Sequence, residues 1–498
     1  MSAFKKSMGI AFLTQYSEMV IQFIGMIILA RIITSEQVGI YSVAAFLMSL
    51  LHVFRDFGVA KYIIQSETLS TQRIRSTLGV AIFLAWSVAL VLLALSGAAA
   101  RFYHEPQVRS ILFVMAASFA VTPVGSVVGA IFRRDMQLKR LAAVRLSSVV
   151  VHITVALTLA VLGYGAMSLA WANFASVVIY GVLAAALRPS WVSLVPSFRD
   201  VRGILSFGGV SSVGSMASVA GNNSPDVVIG KAISLAATGY FSRGNGLVQM
   251  FNTLVGGAIT PLILPYFAQL RRNNEDMVDP YKLAITHLTG FAWPFFAVMA
   301  LLAFPLVRTL YGDNWDVSIP VVRILCLASV ISTLATFAAD VMIAYGHIKV
   351  VTQLQLLAQP VRVGSVIIGA MYGIEGVAVG LVLAETVALG FTSRLLYRTN
   401  SVPLAGVLAA TAKSALVAAI SAAGPALVVL AWPRGYLPWL ELAAGGSAAL
   451  VGWLLAIIWT GHPIRQHMEA AQQRFWPGAP WARGGTAAAD AIDSKENL

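Results

Sequence analysis

Eight ionisable residues lie inside long apolar stretches of the sequence, where a charge is costly and is a functional candidate by default. Three are arginines, whose planar guanidinium makes bidentate contacts to anions and stays charged when partly buried. Five are carboxylates, which bind protons or sodium ions when they are withdrawn from water. The residue types therefore predict binding of an anion and of a small cation. The eight are Glu18, Arg55, Asp56, Asp226, Arg243, Asp340, Arg362 and Glu385.

The composition indicates which elements must position these residues. Of 498 residues, 58% are apolar and 11% are charged, and the mean hydropathy is +0.79. A soluble protein carries about a quarter charged residues, so the composition argues against a water-soluble enzyme. The single cysteine, Cys326, excludes a disulfide or a cysteine-based metal site within one chain. The sequence has no G-x-x-x-x-G-K-[ST] or H-E-x-x-H motif, so we expect no ATP hydrolysis, no metal and no cofactor.

Fourteen apolar stretches are long enough to cross a membrane, since a helical span needs about 20 residues. The stretches are continuous and do not alternate, which predicts helices and not a β-barrel. We therefore expect an all-α polytopic membrane protein with about 14 transmembrane helices. The first stretch is too long for a signal-peptide core and is interpreted as an uncleaved span. The stretches are 8–30, 38–60, 76–98, 109–132, 146–163, 166–187, 204–228, 237–267, 283–307, 317–344, 350–371, 374–393, 404–431 and 438–460.

Basic residues are distributed asymmetrically between the connections. With a cytoplasmic N-terminus, 24 of the 34 lysines and arginines lie on the cytoplasmic side, 7 on the other side and 3 within spans. The positive-inside rule then predicts that both termini are cytoplasmic. This bias also explains the net charge of +13 without nucleic acid. Because the external connections are short, we expect no catalytic or receptor domain outside the membrane.

An internal repeat divides the chain. ILARIITSEQVGIYS (28–42) aligns without gaps on VIGKAISLAATGYFS (228–242), with identical pairs at Ile33/Ile233, Gly39/Gly239 and Ser42/Ser242. A second match, between residues 162–170 and 371–379, pairs Gly163 with Gly373 at an offset of 210. Repeats of six spans run parallel and favour a cavity between two lobes. The predicted domains are an N-lobe (1–187), a cytoplasmic elbow (188–203), a C-lobe (204–400), spans 13 and 14 (401–460) and a largely disordered cytoplasmic tail (461–498).

Three stretches of the sequence carry a resemblance to a known family. Residues 28–46, followed by FRDFGVAKYIIQ (54–65), resemble the opening of bacterial polysaccharide repeat-unit flippases. NNSPDVVIGKAISLAATGYFSRG (222–244) and YGDNWDVSIPVVRILCLAS (311–329) resemble later parts of these proteins. The resemblance is closest to colanic-acid-type exporters of the multidrug/oligosaccharidyl-lipid/polysaccharide exporter superfamily. It covers about residues 5–400, and spans 13 and 14 fit by number and hydropathy alone.

The resemblance implies a secondary transporter of the bacterial inner membrane. It would flip polyprenyl-diphosphate-linked oligosaccharide from the cytoplasmic to the outer leaflet by alternating access, for surface polysaccharide biosynthesis. Arg243, Arg362 and Arg55 are the candidates for binding the diphosphate. The alternative is that these arginines pair with Asp56, Glu385 or Asp226, or extend to an interface.

Four carboxylates are candidates for coupling transport to a proton or sodium gradient: Asp340, Glu385, Glu18 and Asp226. The alternative is that a neighbouring arginine or hydroxyl neutralises each of them. Asp56, in the FRDFG turn, is interpreted as a structural charge that fixes a helix end.

Other functions stay open at this point. A cation-coupled exporter of drugs or metabolites would belong to the same superfamily, and a peptidoglycan-precursor flippase would differ mainly in substrate. A membrane polysaccharide polymerase or glycosyltransferase is the alternative from another class. The expected partners are the lipid-linked oligosaccharide, membrane lipid, and a polysaccharide polymerase with its export machinery.

Overall fold

A computed structural model describes residues 2–56, 62–64, 69–198, 216–433, 436–466 and 468–469. The regular structure over these residues is helical. The α-helices, in chain order, are α1 Ser2–Ile32, α2 Ser35–Asp56, α3 Thr71–Tyr103, α4 Pro106–Arg134, α5 Leu138–Val161, α6 Ala166–Leu187, α7 Ser224–Ala232, α8 Leu235–Phe251, α9 Gly257–Arg272, α10 Val278–Leu301, α11 Ala303–Tyr311, α12 Ser318–Thr333, α13 Ala338–Ala344, α14 Ile348–Ala370, α15 Gly373–Asn400, α16 Leu404–Ala431 and α17 Pro438–Thr460.

Short polar residues determine where several of these helices begin. The Ser70 hydroxyl accepts a hydrogen bond from the Arg73 amide at the start of α3, and the Ser234 hydroxyl accepts one from the Ala237 amide at the start of α8. The Glu105 carboxylate caps α4 in the same way, just before a proline in its first turn. Such caps satisfy backbone N–H groups that have no partner inside the helix.

Eleven helical segments are long and apolar enough to cross a membrane, which confirms the all-α membrane fold. Three of the fourteen predicted stretches are not among these segments. Residues 204–215 lie outside the described part of the chain, the stretch 237–267 is interrupted, and the stretch 350–371 forms α14. The total of fourteen spans, and a cytoplasmic position for both termini, remain predictions.

The interruption in the stretch 237–267 is a π-helical turn. Residues Asn252–Gly256 form this turn between α8 and α9. A π-turn is a common cause of bends in long helices. The predicted kinked helix is therefore two α-helices joined by a local change of winding.

Contacts group the chain into two compact units. The first comprises Met1–Leu262, Val307–Ala328 and Ile348–Phe391. Its core joins α2, α3, α4 and α6 around fully buried side chains that include Leu92, Met115 and Phe119. Small residues let the helices approach closely here, as in other membrane bundles.

The second unit comprises Ile263–Leu306, Ser329–His347 and Thr392–Leu498. Helices α10, α16 and α17 pack together in it. A buried cluster of Val417, Ala456, Ile457 and Ile464 holds the segment after α17 against these helices. The predicted lobe, elbow and tail boundaries follow the sequence repeat and remain predictions.

Candidate functional site

The two copies of the sequence repeat meet in the first unit. A Cβ atom added to Gly39 would lie 1.7 Å from the Leu235 carbonyl oxygen, and one added to Gly239 would lie 1.8 Å from the Ser35 carbonyl oxygen. Backbone therefore touches backbone at both glycines, which no larger residue would permit. We call the contact between residues 35–42 and 235–242 the repeat seam.

The repeat seam is symmetric in sequence. Gly39 packs on Leu235 and Gly239 packs on Ser35, and each residue of one pair is 200 positions from its counterpart in the other. The Ser42 hydroxyl donates to the Ser242 hydroxyl at 3.1 Å, again across 200 positions. Reciprocal contacts of this kind define an isologous, two-fold interface. The two helices, α2 and α8, run parallel across it.

A polar cavity of about 630 Å³ lies beside the repeat seam. Five helices contribute to its wall: α1, α2, α5, α6 and α8. The lining is mixed, with apolar residues between hydroxyl, amide, imidazole and guanidinium groups. Its polar lining residues are Gln22, Tyr41, Ser42, Ser148, His152, Asn173, Ser176, Ser242 and Arg243.

Arg243 is the cationic residue of the described cavity wall, and it follows Ser242 of the seam directly. Its guanidinium carbon lies 5.7 Å from the centre of the Trp315 ring. Its Nε atom is buried without a hydrogen-bond partner, and no carboxylate of the described residues pairs with it. An aromatic face attracts a cation without neutralising it. Arg243 is therefore still available to an anion.

Trp315 holds Arg243 in place from a fixed position. The Trp315 indole N–H donates to the Ala30 carbonyl at 2.8 Å, and the ring meets Tyr240 edge to face at 5.8 Å. The ring is almost fully buried. The Trp315 ring is held by this hydrogen bond and by its burial. Since Arg243 packs on the ring, the position of its guanidinium is largely set before any ligand binds.

The other two candidate arginines lie elsewhere in the first unit. Arg362 donates to Glu385 Oε1 through Nη1 at 2.5 Å, which joins α14 to α15. The guanidinium carbon of Arg55 lies 5.7 Å from the centre of the Phe119 ring. Neither residue contributes to the described wall of the cavity. The structure thus gives Arg362 the pairing with Glu385 that the sequence left as an alternative.

The candidate carboxylates fall into two groups. Glu18 and Glu385 are each paired with an arginine, Arg145 and Arg362 respectively. Asp226 and Asp340 lie in the first turns of α7 and α13, and neither carboxylate has an ion-pair partner among the described residues. The side chain of Asp56, the last residue of α2, lies outside the described part of the chain.

Several site residues escaped sequence reasoning. The pairing of Glu18 with Arg145 was missed because Arg145 lies between the predicted stretches 109–132 and 146–163. His152 lines the cavity with Asn173 and Gln22, although no sequence motif singles it out. The identities Gly39/Gly239 and Ser42/Ser242 in the repeat were the available signals for the seam, although sequence similarity alone does not show that two copies touch.

Helical spans around a polar, cation-bearing cavity define a multi-pass membrane transporter. The chain belongs to a family described as "Polysaccharide biosynthesis protein", whose profile matches residues 28–320. The match confirms the predicted resemblance to proteins of bacterial polysaccharide biosynthesis.

Two relatives extend the similarity. The succinoglycan biosynthesis transport protein ExoT of Rhizobium meliloti is 24% identical over 488 residues, which cover 95% of this chain and 97% of ExoT. The lipopolysaccharide biosynthesis protein WzxC of Escherichia coli is 21% identical over 375 residues, covering 73% of this chain and 74% of WzxC. These relatives, with the helical spans, place the protein in the bacterial inner membrane as a transporter.

Solved structures share the fold. The lipid II flippase MurJ, in an inward closed conformation, superimposes with a TM-score of 0.73 at 11% identity, over 89% of this chain and 98% of MurJ. An inward-facing multidrug resistance transporter of the MATE family gives 0.64 at 16% identity, over 80% of this chain and 99% of its own. At such identities the likeness concerns the fold.

Proposed function

We propose that the protein flips polyprenyl-diphosphate-linked oligosaccharide repeat units from the cytoplasmic to the outer leaflet, for surface polysaccharide biosynthesis. The observation that carries this proposal is Arg243, a cation without a carboxylate partner in the described wall of a polar cavity. A diphosphate is an anion that must cross about 30 Å of hydrocarbon. An arginine fork binds phosphate oxygens bidentately and keeps its charge while doing so.

The rest of the cavity suits a glycan. Hydroxyl and amide groups such as Ser148, Asn173 and Gln22 provide hydrogen-bond donors and acceptors for sugar hydroxyls. A volume of about 630 Å³ is in the range of small-molecule sites. Membrane surrounds the bundle, so the prenyl tail stays in lipid while the head group occupies the cavity.

The repeat seam supplies one closed side for alternating access. With the topology predicted from the basic residues, Ser35 and Leu235 lie at the outer ends of α2 and α8. The seam therefore closes the outer side, and Arg243 lies just inward of it. Transport requires that the two sides of the seam separate. The substrate shifts the balance between the closed and the open seam only if it binds these two states with different affinities.

The charge of the cavity argues against one form of the alternative, a cation-coupled exporter whose drugs are organic cations. Its described wall contains one arginine and no aspartate or glutamate. A site of this sign repels organic cations and attracts anions.

Ion coupling remains part of the proposal. Of the four candidate carboxylates, Asp226 and Asp340 have no ion-pair partner among the described residues, and a proton or sodium ion would supply the missing positive charge. Glu18 and Glu385 would first have to release their arginine partners before binding a proton or sodium ion. A polysaccharide polymerase and its export machinery are the proposed partners after flipping.

The proposal is tested by deleting the gene and extracting lipids from the two leaflets. We expect polyprenyl-diphosphate oligosaccharide to accumulate on the cytoplasmic leaflet and surface polysaccharide to disappear. Re-expression of the intact chain should reverse both effects. Normal surface polysaccharide without lipid accumulation would contradict the proposal, and polymerisation of glycan by the purified chain would instead make it an enzyme.

A further inference from the structure

The ion pair between Glu18 of α1 and Arg145 of α5 is asymmetric. Arg145 Nη2 donates to Glu18 Oε2 at 2.6 Å, while the other carboxylate oxygen, Oε1, is buried and has no hydrogen-bond partner. Glu18 is 8% exposed, whereas the Arg145 side chain is 42% exposed. The carboxylate is thus enclosed in protein with one of its two oxygens satisfied, whereas the guanidinium is partly exposed.

The pair continues the wall of the cavity by one helical turn. On α1, Gln22 follows Glu18 by four residues and lines the cavity. On α5, Ser148 and Val149 follow Arg145 by three and four residues, and they line it too. Residues three and four apart share one face of a helix. In the predicted topology both Glu18 and Arg145 lie on the cytoplasmic side of the cavity.

Tyr180 of α6 connects the pair with a second cation. Its phenol is within electrostatic reach of Arg133, Arg145 and Glu18. It packs on α4, where its hydroxyl would lie 2.6 Å from a Cβ atom at Gly129, one turn before Arg133. Because the ion pair of Glu18 and Arg145 is neutral, Arg133 adds a positive charge to the surroundings of Tyr180, which favours the approach of anions.

A diphosphate is a stronger partner for Arg145 than Glu18 is. Glu18 accepts one hydrogen bond from Arg145 through one oxygen, whereas phosphate oxygens accept two parallel bonds from a guanidinium. Because Glu18 uses one oxygen and leaves Oε1 without a partner, the pair lacks the bidentate geometry that makes arginine–carboxylate pairs strong.

We propose that Arg145 is a second head-group-binding residue, at the cytoplasmic entrance, and that Glu18 holds it until the diphosphate displaces the carboxylate. The anion binds first at the entrance and then at Arg243, deeper along the same cavity. The inference rests on the proposed function, because it assigns a further residue to the same anionic substrate. It also makes Glu18 a positioning residue that competes with substrate.

Binding of undecaprenyl diphosphate to the purified full-length protein in nanodiscs tests this exchange, with undecaprenol as the uncharged control. We expect Glu18→Gln to tighten binding about three- to tenfold, since Arg145 no longer has to leave a carboxylate. Arg145→Ala should weaken binding about tenfold, the loss expected for one charge-assisted contact. The double variant Glu18→Gln/Arg145→Ala should bind as weakly as Arg145→Ala.

The control is Arg140→Ala, which removes one positive charge from the same helix. Arg140 is exposed and bonds to Gln137, so wild-type affinity is expected. Unchanged or weaker binding by Glu18→Gln, or wild-type binding by the double variant, would overturn the inference and leave the proposed function standing. Wild-type protein that binds undecaprenyl diphosphate no better than undecaprenol would overturn both.

Discussion

The hydroxyl groups of Ser42 and Ser242 are 200 residues apart in the chain and 3.1 Å apart in the structure. They occupy equivalent places in two copies of a repeated segment, so a duplicated element contacts its own copy. Both serines line the cavity that contains Arg243. Under the proposed function, this contact makes the repeat seam a barrier on one side of the transport path.

A disulfide between positions 42 and 242 should lock the seam. The two side-chain oxygens are close enough that Ser42→Cys with Ser242→Cys should form a bond after modest movement. We expect the oxidised double variant to lose export, and a reducing agent to restore it. The measurement is surface polysaccharide in cells carrying each single variant or both. The native Cys326 is buried and does not interfere.

Alanine at either seam glycine should disrupt the same contact. Its Cβ atom would lie 1.7 Å or 1.8 Å from a carbonyl oxygen, so the helices would have to separate. We expect Gly39→Ala and Gly239→Ala to lower thermal stability and export to a similar degree, because the contacts are reciprocal. Gly97→Ala is the matched control, since a Cβ atom there meets nothing within 4 Å. Equal behaviour of all three variants would remove the seam from the mechanism.

Removing the cavity cation should abolish export. Arg243→Ala deletes the group that we assign to the diphosphate, whereas Arg243→Lys keeps a charge and loses the bidentate fork. We expect no surface polysaccharide with alanine and partial recovery with lysine, at protein levels matched by immunoblot. Full export by the alanine variant would show that Arg243 does not act on the substrate.

Substitutions in the Arg362–Glu385 pair distinguish a structural role of these residues from a role in transport. Both side chains are about one-fifth exposed, so a single neutral substitution should destabilise the protein by about 1–3 kcal/mol. If the pair is structural, Arg362→Gln/Glu385→Gln should regain most of the stability and the export. If the double variant is stable but inactive, these residues bind the substrate or an ion. Thermal unfolding in detergent and surface polysaccharide are the two measurements.

Protonation of His462 should weaken the second unit. Burial, together with the nearby positive charges of His287 and Lys413, lowers the pKa of His462 to about 4. In the unfolded chain the histidine pKa is about 6.5. Between these values the unfolded chain binds the extra proton, so stability is complete above about pH 6.5 and falls toward pH 4, by on the order of 3 kcal/mol.

The geometry around His462 suggests a matched variant. Its Nδ1 accepts from the Ile464 amide, which leaves the Nε2 hydrogen for the Ser414 hydroxyl at 3.0 Å. His462→Gln keeps a donor but does not titrate. We expect a smaller loss of melting temperature between pH 7 and pH 4.5 in this variant than in wild type. Parallel curves would assign the acid sensitivity to other groups.

The helical membrane fold was predictable from sequence because its causes are local. In hydrocarbon each backbone group must be hydrogen-bonded within its own segment, so a long apolar run forms a helix whatever its neighbours are. Eleven such segments are present among the described residues. The bend at Asn252–Gly256 was harder to place, since glycines and prolines indicate a break without specifying a π-turn.

The roles of the charged residues depended on tertiary structure. Sequence alone determined that eight ionisable residues lie in apolar stretches, that two segments repeat, and that basic residues favour one side. It did not determine that Glu18 meets Arg145, that Glu385 meets Arg362, or that Arg243 meets an aromatic ring and none of the described carboxylates. Successive residues of a helix are rotated by about 100° around its axis. Which helix faces contact each other is therefore decided by packing of the whole bundle, and the hydropathy pattern does not specify it.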